Sequence, residues 1–135
     1  MKFCYPVDSA KLLRVAMTLV QSAQKEIIAT MDMKEEIAHP LPQAYHRLLT
    51  KKAEKGIHVV RYGFGGKRAF NKLKKQYSGI DFIYGGSISN YKRMLIVDRR
   101  VGFFRVGKNV YKTKFRLLLY ALVAYAKNRY NKENL

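Results

Sequence analysis

Residues 91–109 read Tyr-Lys-Arg-Met-Leu-Ile-Val-Asp-Arg-Arg-Val-Gly-Phe-Phe-Arg-Val-Gly-Lys-Asn, and this stretch says most about the architecture. Residues 91–98 and 101–106 form two β-rich runs that are separated only by Arg99 and Arg100. Two such runs joined by a short polar turn are typical of a β-hairpin. The stretch therefore predicts an antiparallel part in whatever sheet the chain builds.

The segments before and after this hairpin alternate between helical and β patterns. Apolar residues recur at helical spacing over residues 12–23, follow Pro42 up to Gly56, and return after Gly65-Gly66 and after residue 111. Runs 26–31, 57–64 and 80–84 are β-rich, and residues 32–41, with Pro40 and the following Pro42 as breakers, are predicted to be a loop. This alternation predicts one α/β domain over residues 1–135, with a mostly parallel or mixed sheet covered by helices on both faces.

The polar residues of this stretch resemble the phospholipase D superfamily signature, His-x-Lys-x4-Asp-x6-Gly-Gly/Ser-x2-Asn. When the signature is aligned on Asp98, its closing asparagine falls on Asn109 and its lysine on Arg93, which keeps the charge. Residues 55–60, Lys-Gly-Ile-His-Val-Val, resemble the element that precedes the motif in many such domains. The resemblance covers residues 9–125 and implies a phospholipase D-like fold.

The same alignment shows where the chain departs from the signature. Tyr91 stands at the position of the nucleophilic histidine, and Arg105 and Val106 stand at the two glycine-type positions. In the family that histidine forms a covalent bond to phosphorus. A phenol with a pKa of about 10 stays protonated at neutral pH unless a base activates it. Because none of the three histidines has the required spacing to a lysine, the sequence predicts a degenerate domain without a catalytic residue.

An anion-binding site is expected to remain in the chain even though the nucleophilic histidine is absent. A guanidinium such as that of Arg93 offers phosphate a fork of donors. The predicted anion-binding residues are Lys92, Arg93, Asp98, Arg105, Lys108 and Asn109. The alternative is a solvated basic hairpin in which Asp98 neutralises Arg93.

Charge is distributed very unevenly along the chain. The formal net charge is +18, and residues 1–40 hold equal numbers of acidic and basic side chains, so residues 41–135 carry the whole excess. Such a block repels itself unless a polyanion shares its surface. Nucleic acid is the commonest such partner and an anionic membrane surface the second, while a basic surface that only keeps the protein soluble remains the alternative. The third predicted helix concentrates this charge, and its predicted nucleic-acid-binding residues are Lys67, Arg68, Lys72, Lys74 and Lys75.

These features predict a non-catalytic phospholipase D-like domain that binds a polyanion in a regulatory role, with nucleic acid as the favoured partner. The resemblance also implies a homodimer, since single-copy members of the family pair two motifs. A phosphodiesterase or nuclease that acts as a homodimer therefore stays open, as does a scaffold domain that pairs through its apolar last helix. Degenerate domains of this kind are also similar to the effector portion of TrmB-type transcription regulators. Those regulators carry a winged helix-turn-helix segment that these 135 residues lack, so sequence-specific DNA reading is not expected.

The sequence indicates no cofactor, no metal and no integral membrane association. Asp32, Glu35 and Glu36 cluster without a ligand-like histidine spacing. The longest apolar run, residues 117–126, covers about half a bilayer and predicts a buried helix. The single cysteine, Cys4, cannot form a disulfide within the chain, which fits a cytoplasmic protein.

Overall fold

A seven-stranded mixed sheet forms the centre of the chain, which the computed structural model describes over residues 3–77 and 79–133, with side chains through residue 127. The strands are β1 (Cys4–Val7), β2 (Glu26–Asp32), β3 (His58–Phe64), β4 (Asp81–Gly86), β5 (Met94–Val97), β6 (Val101–Val106) and β7 (Asn109–Thr113). They lie in the order β1-β7-β6-β5-β2-β3-β4. The pairs β2–β3 and β3–β4 are parallel, and the remaining neighbours are antiparallel.

Helices cover both faces of this sheet. They are α1 (Leu12–Ser22), α2 (Met33–Ala38), α3 (Gln43–Glu54), α4 (Lys67–Lys74) and α5 (Arg116–Glu133). On one face, the apolar stripe of α1 packs with α3 on β2 and β5, and α4 covers Phe82 of β4. On the other face, α5 buries Leu119, Val123 and Ala126 against β2, β3 and β5. The predicted α/β class, with helices on both faces, is confirmed.

The antiparallel seam between β2 and β5 is fixed at both of its ends. At one end the Asp98 carboxylate accepts the backbone N–H groups of Gln24, Lys25 and Glu26 at 2.8–2.9 Å. At the other end the Thr30 hydroxyl donates to the carbonyl of Lys92 at 2.6 Å and accepts the N–H of Met94 at 3.0 Å. These bonds hold the two strands in register, so they also fix where the residues before β5 lie.

The β5–β6 hairpin depends on two backbone features. Asp98 and Arg99 both have positive φ, 54° and 50°, a conformation that aspartate tolerates better than most residues. On β6, a Cβ added to Gly102 would lie 2.6 Å from the carbonyl oxygen of Leu95, so a side chain cannot fit there. The predicted hairpin is present, although its first strand is shorter than predicted and begins only at Met94.

Three sequence-based predictions of local structure need correction. Residues 32–41 are not entirely a loop, because the Asp32 side chain accepts the N–H groups of Lys34 and Glu35 and starts α2. The last helix begins at Arg116 rather than near residue 111, because Asn109–Thr113 forms β7. The short strand β1, which pairs with β7, was not predicted. Within the described part of the chain, no helix combines the length and apolarity that crossing a bilayer requires.

The Asp98 carboxylate should contribute more to stability than an exposed carboxylate does. Hydrogen bonds to a charged group contribute about 1.5–3 kcal/mol each, so Asp98→Ala should lower the free energy of unfolding by at least about 3 kcal/mol. Asp81→Ala is the matched control: Asp81 is exposed, its carboxylate pairs with His58 at 2.6 Å, and the substitution should cost under about 1 kcal/mol. Urea unfolding at pH 7 measures both values.

The same carboxylate predicts acid sensitivity. Burial raises the pKa of Asp98, but the N–H groups of Glu26, Gln24 and Lys25 outweigh it and hold that pKa below its ordinary value. Because the folded-state pKa is depressed, this stabilisation is present above the ordinary aspartate pKa and is lost as the pH falls through the folded value. Asp98→Asn should therefore lose less stability between pH 5 and pH 2.5 than the wild type loses. Equal losses would contradict this assignment.

Candidate nucleic-acid and anion interface

One end of the sheet collects the residues that sequence analysis singled out. The carboxyl ends of the parallel strands β2, β3 and β4 meet there, together with the start of β5 and the end of β6. Ligands of open α/β sheets bind outside the carboxyl ends of the parallel strands. Tyr91, Lys92 and Arg93 immediately precede β5 and therefore lie at this end.

Two arginines lie side by side on neighbouring strands at this end. The N–H of Arg105 donates to the carbonyl of Arg93 at 3.0 Å, so the hairpin fixes the backbones of both residues. Arg93 is half-buried and Arg105 is exposed. Lys92 is also exposed, with its ammonium 5.8 Å from the centre of the Tyr125 ring. Three cationic residues, Lys92, Arg93 and Arg105, therefore lie close together where β5 pairs with β6.

The turn between β6 and β7 adds two more of the predicted residues. Val106 pairs with Asn109, and Gly107, with φ at 60°, makes the turn between them. Lys108 and Asn109 are exposed at its tip. Because β6 runs antiparallel to β5, this tip lies at the same end of the sheet as Arg93.

Asp98 does not join this group. It lies at the opposite end of β5, where its carboxylate is occupied by three backbone N–H groups of the segment that leads into β2. The expectation that it neutralises Arg93 therefore does not fit the structure, because the whole of β5 separates the two residues. The structure brings Lys92, Arg93, Arg105, Lys108 and Asn109 to one end and gives Asp98 an architectural role.

Tyr91 is poorly suited to act as a nucleophile. Its ring is half-buried and lies 5.8 Å from the ring of Phe64, measured between ring centres. Burial raises the pKa of this phenol above its ordinary value, although the charges of Arg93 and Arg105 oppose that effect. The side chain therefore stays protonated at neutral pH.

A histidine that the sequence analysis set aside lies close to Tyr91. His39 follows α2 and lines the same cavity of about 100 Å³ as Tyr91 and Arg93, together with Asp32 and Glu35. Motif spacing could not reveal it, because α2 and the loop after it bring His39 there through the tertiary fold.

The basic residues of α4 form a second exposed group. Phe70 and Leu73 pack toward Phe82, and the Phe70 and Phe82 rings stack with centres 4.8 Å apart, so the opposite side of the helix faces solvent. All five predicted nucleic-acid-binding residues are exposed: Lys67, Arg68, Lys72, Lys74 and Lys75. Only two residues, Gly65 and Gly66, separate the end of β3 from the start of α4. Lys67 and Arg68 therefore lie at the same end of the sheet as Arg93.

Several residues of these two groups have no acidic partner among the described residues. The ion pairs found between described residues join His46 to Glu36, His58 to Asp81 and Arg99 to Glu26. Among those same residues, none of Arg68, Lys72, Lys75, Arg105 and Lys108 has a carboxylate within ion-pair distance. The described residues also contain no group of three histidine, cysteine or acidic side chains that could hold a metal ion.

Comparison with known proteins shows the fold but no close relative. No protein-family model matches the chain, and no curated protein matches it in sequence. Among solved structures, TrmBL2, an archaeal chromatin protein, superposes over 98% of this chain and 53% of its own, with a TM-score of 0.68 and 15% identity. NucT from Helicobacter pylori superposes over 95% and 94%, with a TM-score of 0.59 and 13% identity. These structures share the architecture of the phospholipase D superfamily. The chain has a phospholipase D-like fold.

This finding confirms the resemblance read from residues 91–109 at the level of the fold. A polyphosphate kinase from Porphyromonas gingivalis shares the fold as well, over 93% of this chain and 26% of its own, with a TM-score of 0.62 and 13% identity. The chain spans about half the length of TrmBL2 and a quarter of that kinase. At such identities the phospholipase D-like fold is shared, whereas activity has to be argued from the residues present.

The phospholipase D-like site should not hydrolyse phosphodiesters. With Tyr91 protonated and half-buried, the purified protein should release no product from bis(p-nitrophenyl) phosphate or plasmid DNA, in EDTA or in Mg²⁺. If turnover is observed, Tyr91→Phe and His39→Ala identify its source. Loss of turnover in either variant, with turnover retained in the exposed control His58→Ala, would overturn the prediction.

Proposed function

We propose that this chain is a non-catalytic phospholipase D-like domain that binds nucleic acid through the basic end of its sheet and through α4. The observation that carries the proposal is the pair of exposed basic groups, Lys92–Arg105–Lys108 at the end of the sheet and Arg68, Lys72, Lys74 and Lys75 at α4, for which no ion pair with an acidic side chain is found among the described residues. A nucleic-acid backbone would supply the missing negative charge and release its counterions on binding.

The dimensions of the basic end suit a phosphate backbone. From the start of α4 beside β3 to the β6–β7 turn, the surface crosses β2, β5 and β6. Strands lie about 4.8 Å apart, so this distance is roughly 15–20 Å. One nucleic-acid strand places about five phosphates over that length at about 3.4 Å each.

The aromatic residues give little support for base recognition. Phe103 is buried, and Tyr77, Tyr84, Tyr91, Phe104 and Tyr111 are at least half-buried. Contacts made through phosphates position a protein without reading sequence. The proposed binding is therefore tolerant of sequence, and a regulatory or architectural role in the cytoplasm is consistent with it.

One fold neighbour supports this proposal. TrmBL2 is an archaeal chromatin protein with a novel mode of DNA binding. Its low identity to this chain makes it support for the proposal and no more. The second candidate function is a phosphodiesterase that acts as a homodimer, and His39 beside Tyr91 and Arg93 is the observation in its favour.

Nucleic-acid affinity should fall steeply with salt. We expect the slope of log K against log salt to correspond to about 4–8 phosphate contacts, at roughly 0.7–0.9 per phosphate. The triple variants Lys92/Arg105/Lys108→Gln and Lys72/Lys74/Lys75→Gln should each weaken binding to all sequences alike and flatten the slope by about 2–3. Fluorescence anisotropy with two unrelated duplexes and two unrelated single strands measures both effects.

The matched control removes the same charge from α3. Arg47 and Lys51 are exposed on that helix and Lys55 is exposed directly after it, and Arg47/Lys51/Lys55→Gln should weaken binding less than either triple variant above. If all three triple variants behave alike, net charge rather than a defined surface determines binding. If no nucleic acid binds at low salt, the proposal is wrong.

We also propose that the domain pairs with a second copy through α5. The outward side of that helix exposes Leu117 at 73% and Tyr120 at 49%, whereas Leu119 and Val123 are buried against the sheet. Ala121 and Ala124 are exposed as well, which extends an apolar stripe along the helix. Exposed apolar stripes of this kind commonly mark protein interfaces.

Light scattering at micromolar concentration should therefore give about twice the 15.7 kDa chain mass. Leu117→Glu should convert the dimer to a monomer, because it places a charge in the interface. Val106→Glu, at another exposed apolar position with 58% exposure on β6, is the control and should leave the mass unchanged. A wild-type protein that remains monomeric over a hundredfold concentration range would count against pairing.

A further inference from the structure

Arg61 is a buried arginine whose hydrogen-bonding groups are not all satisfied. It lies on β3 with 3% of its surface exposed, and its Nε and Nη1 have no hydrogen-bond partner among the described residues. A buried donor left without a partner is destabilising, and a charged one is more so. Binding of an anion to this guanidinium would therefore offset the destabilisation that its burial causes.

Glu36 interacts electrostatically with Arg61, but its carboxylate also has other partners. Glu36 is buried, accepts the Tyr77 hydroxyl at 2.9 Å and pairs with His46 at 3.2 Å. Burial alone would raise the pKa of Glu36, but His46, the charge of Arg61 and Tyr77 together hold that pKa below its ordinary value. The guanidinium of Arg61 lies over the Tyr77 ring at 5.1 Å from its centre. Glu36 therefore balances part of the charge of Arg61, while Nε and Nη1 stay buried without a hydrogen-bond partner among the described residues.

Arg61 lines a cavity of about 260 Å³ between the sheet and α1. Arg61, Ala29, Leu95 and Phe103 follow one another across β3, β2, β5 and β6 and form its floor. Leu12, Leu13 and Ala16 of α1 form its opposite wall. The small side chains of Ala29 and Ala16 leave this space open.

The cavity has a cationic end and an apolar body. Arg93 lines it as a second guanidinium, and Thr30 lies beside them. The rest of the lining is mainly aliphatic or aromatic, and Leu13, 40% exposed, stands at the solvent side. The volume is slightly below the ~300–1,000 Å³ of ordinary ligand pockets, so it suits a small molecule rather than a nucleic-acid backbone.

We propose that this cavity binds a small amphipathic anion, with its carboxylate or phosphate on Arg61 and Arg93 and its apolar chain along Leu12, Ala16 and Phe103. Two guanidiniums offer an anionic head forked, charge-assisted hydrogen bonds. The part of the cavity lined by Ala16 and Ala29 would shield the apolar chain of the ligand from water. The site shares Arg93 with the basic end of the sheet, but it does not depend on nucleic-acid binding.

Isothermal titration of the full chain with four probes tests the proposal. The probes are octanoate, octyl phosphate, octanol and inorganic phosphate, each below its aggregation limit. We expect 1:1 binding of octanoate, octyl phosphate or both, at least about tenfold tighter than binding of octanol or phosphate. That ratio follows from the loss of one charged hydrogen bond. The better of the two amphiphiles identifies the head group.

Three variants locate the binding. Arg61→Met should weaken the preferred amphiphile at least about tenfold, because it removes the guanidinium and keeps the length of the side chain. Leu13→Asp should do the same from the cavity mouth, and its exposed position keeps the test valid if Arg61→Met does not fold. Arg14→Met makes the same change on the exposed side of α1 and should leave affinity unchanged.

Other results would overturn the inference in distinguishable ways. Equal affinity for octanol and octanoate would mean an apolar cavity without an anion site. Equal affinity for phosphate and octyl phosphate would mean that the apolar body takes no part. Unchanged binding in Arg61→Met and Leu13→Asp would place the probe elsewhere. Nucleic-acid affinity, measured in parallel, should remain the same in Leu13→Asp, so failure of one proposal leaves the other intact.

Discussion

The carboxylate of Asp98, held by three backbone N–H groups, is the interaction on which the rest of the structure depends. It binds the β5–β6 hairpin to the segment that enters β2, at the seam where the parallel and antiparallel parts of the sheet meet. The Thr30 hydroxyl closes the same seam at its other end. A shift of one residue along this seam would turn every side chain of β5 to the opposite face. The positions of Arg93 and of the cavity floor therefore depend on this register.

Cationic side chains occur in this fold in two different physical settings. Those on α4 and at the β6–β7 turn are exposed, so their interactions are screened by salt and sum over many weak contacts. Arg61 is buried, so one well-placed anion counts for far more there. The first setting suits long, variable polyanions, and the second suits a single ligand of defined shape. The two proposals together would let the domain bind a polymer and a small molecule at once.

The sequence predicted the parts of the fold that follow from local patterns. The hairpin, the α1 and α3 stripes and the packing of Phe70 and Leu73 of α4 were readable because apolar spacing reports which side is buried. It missed β1, a four-residue edge strand whose partner is distant in sequence, and β7, because residues from 111 onward were assigned to the last helix. It misplaced Asp98, because motif spacing gives order along the chain and not which end of a strand a residue occupies. Arg61 left a signal that was overlooked: a single charge inside the apolar run 57–64, where a central parallel strand is buried on both faces.

The pairing of β1 with β7 has a consequence for how the chain is made. The Thr113 hydroxyl donates to the carbonyl of Phe3 across 110 residues, and the Phe3 and Phe115 rings stack with centres 4.3 Å apart. At a synthesis rate of about 5–20 residues per second, β1 leaves the ribosome roughly 5–20 s before its partner exists. Closing so long a loop is slow, so this edge of the sheet completes last. During that interval β1 has no β7 to pair with. Its four-residue length and Pro6, which lacks an N–H, limit the wrong pairings it can make while it waits.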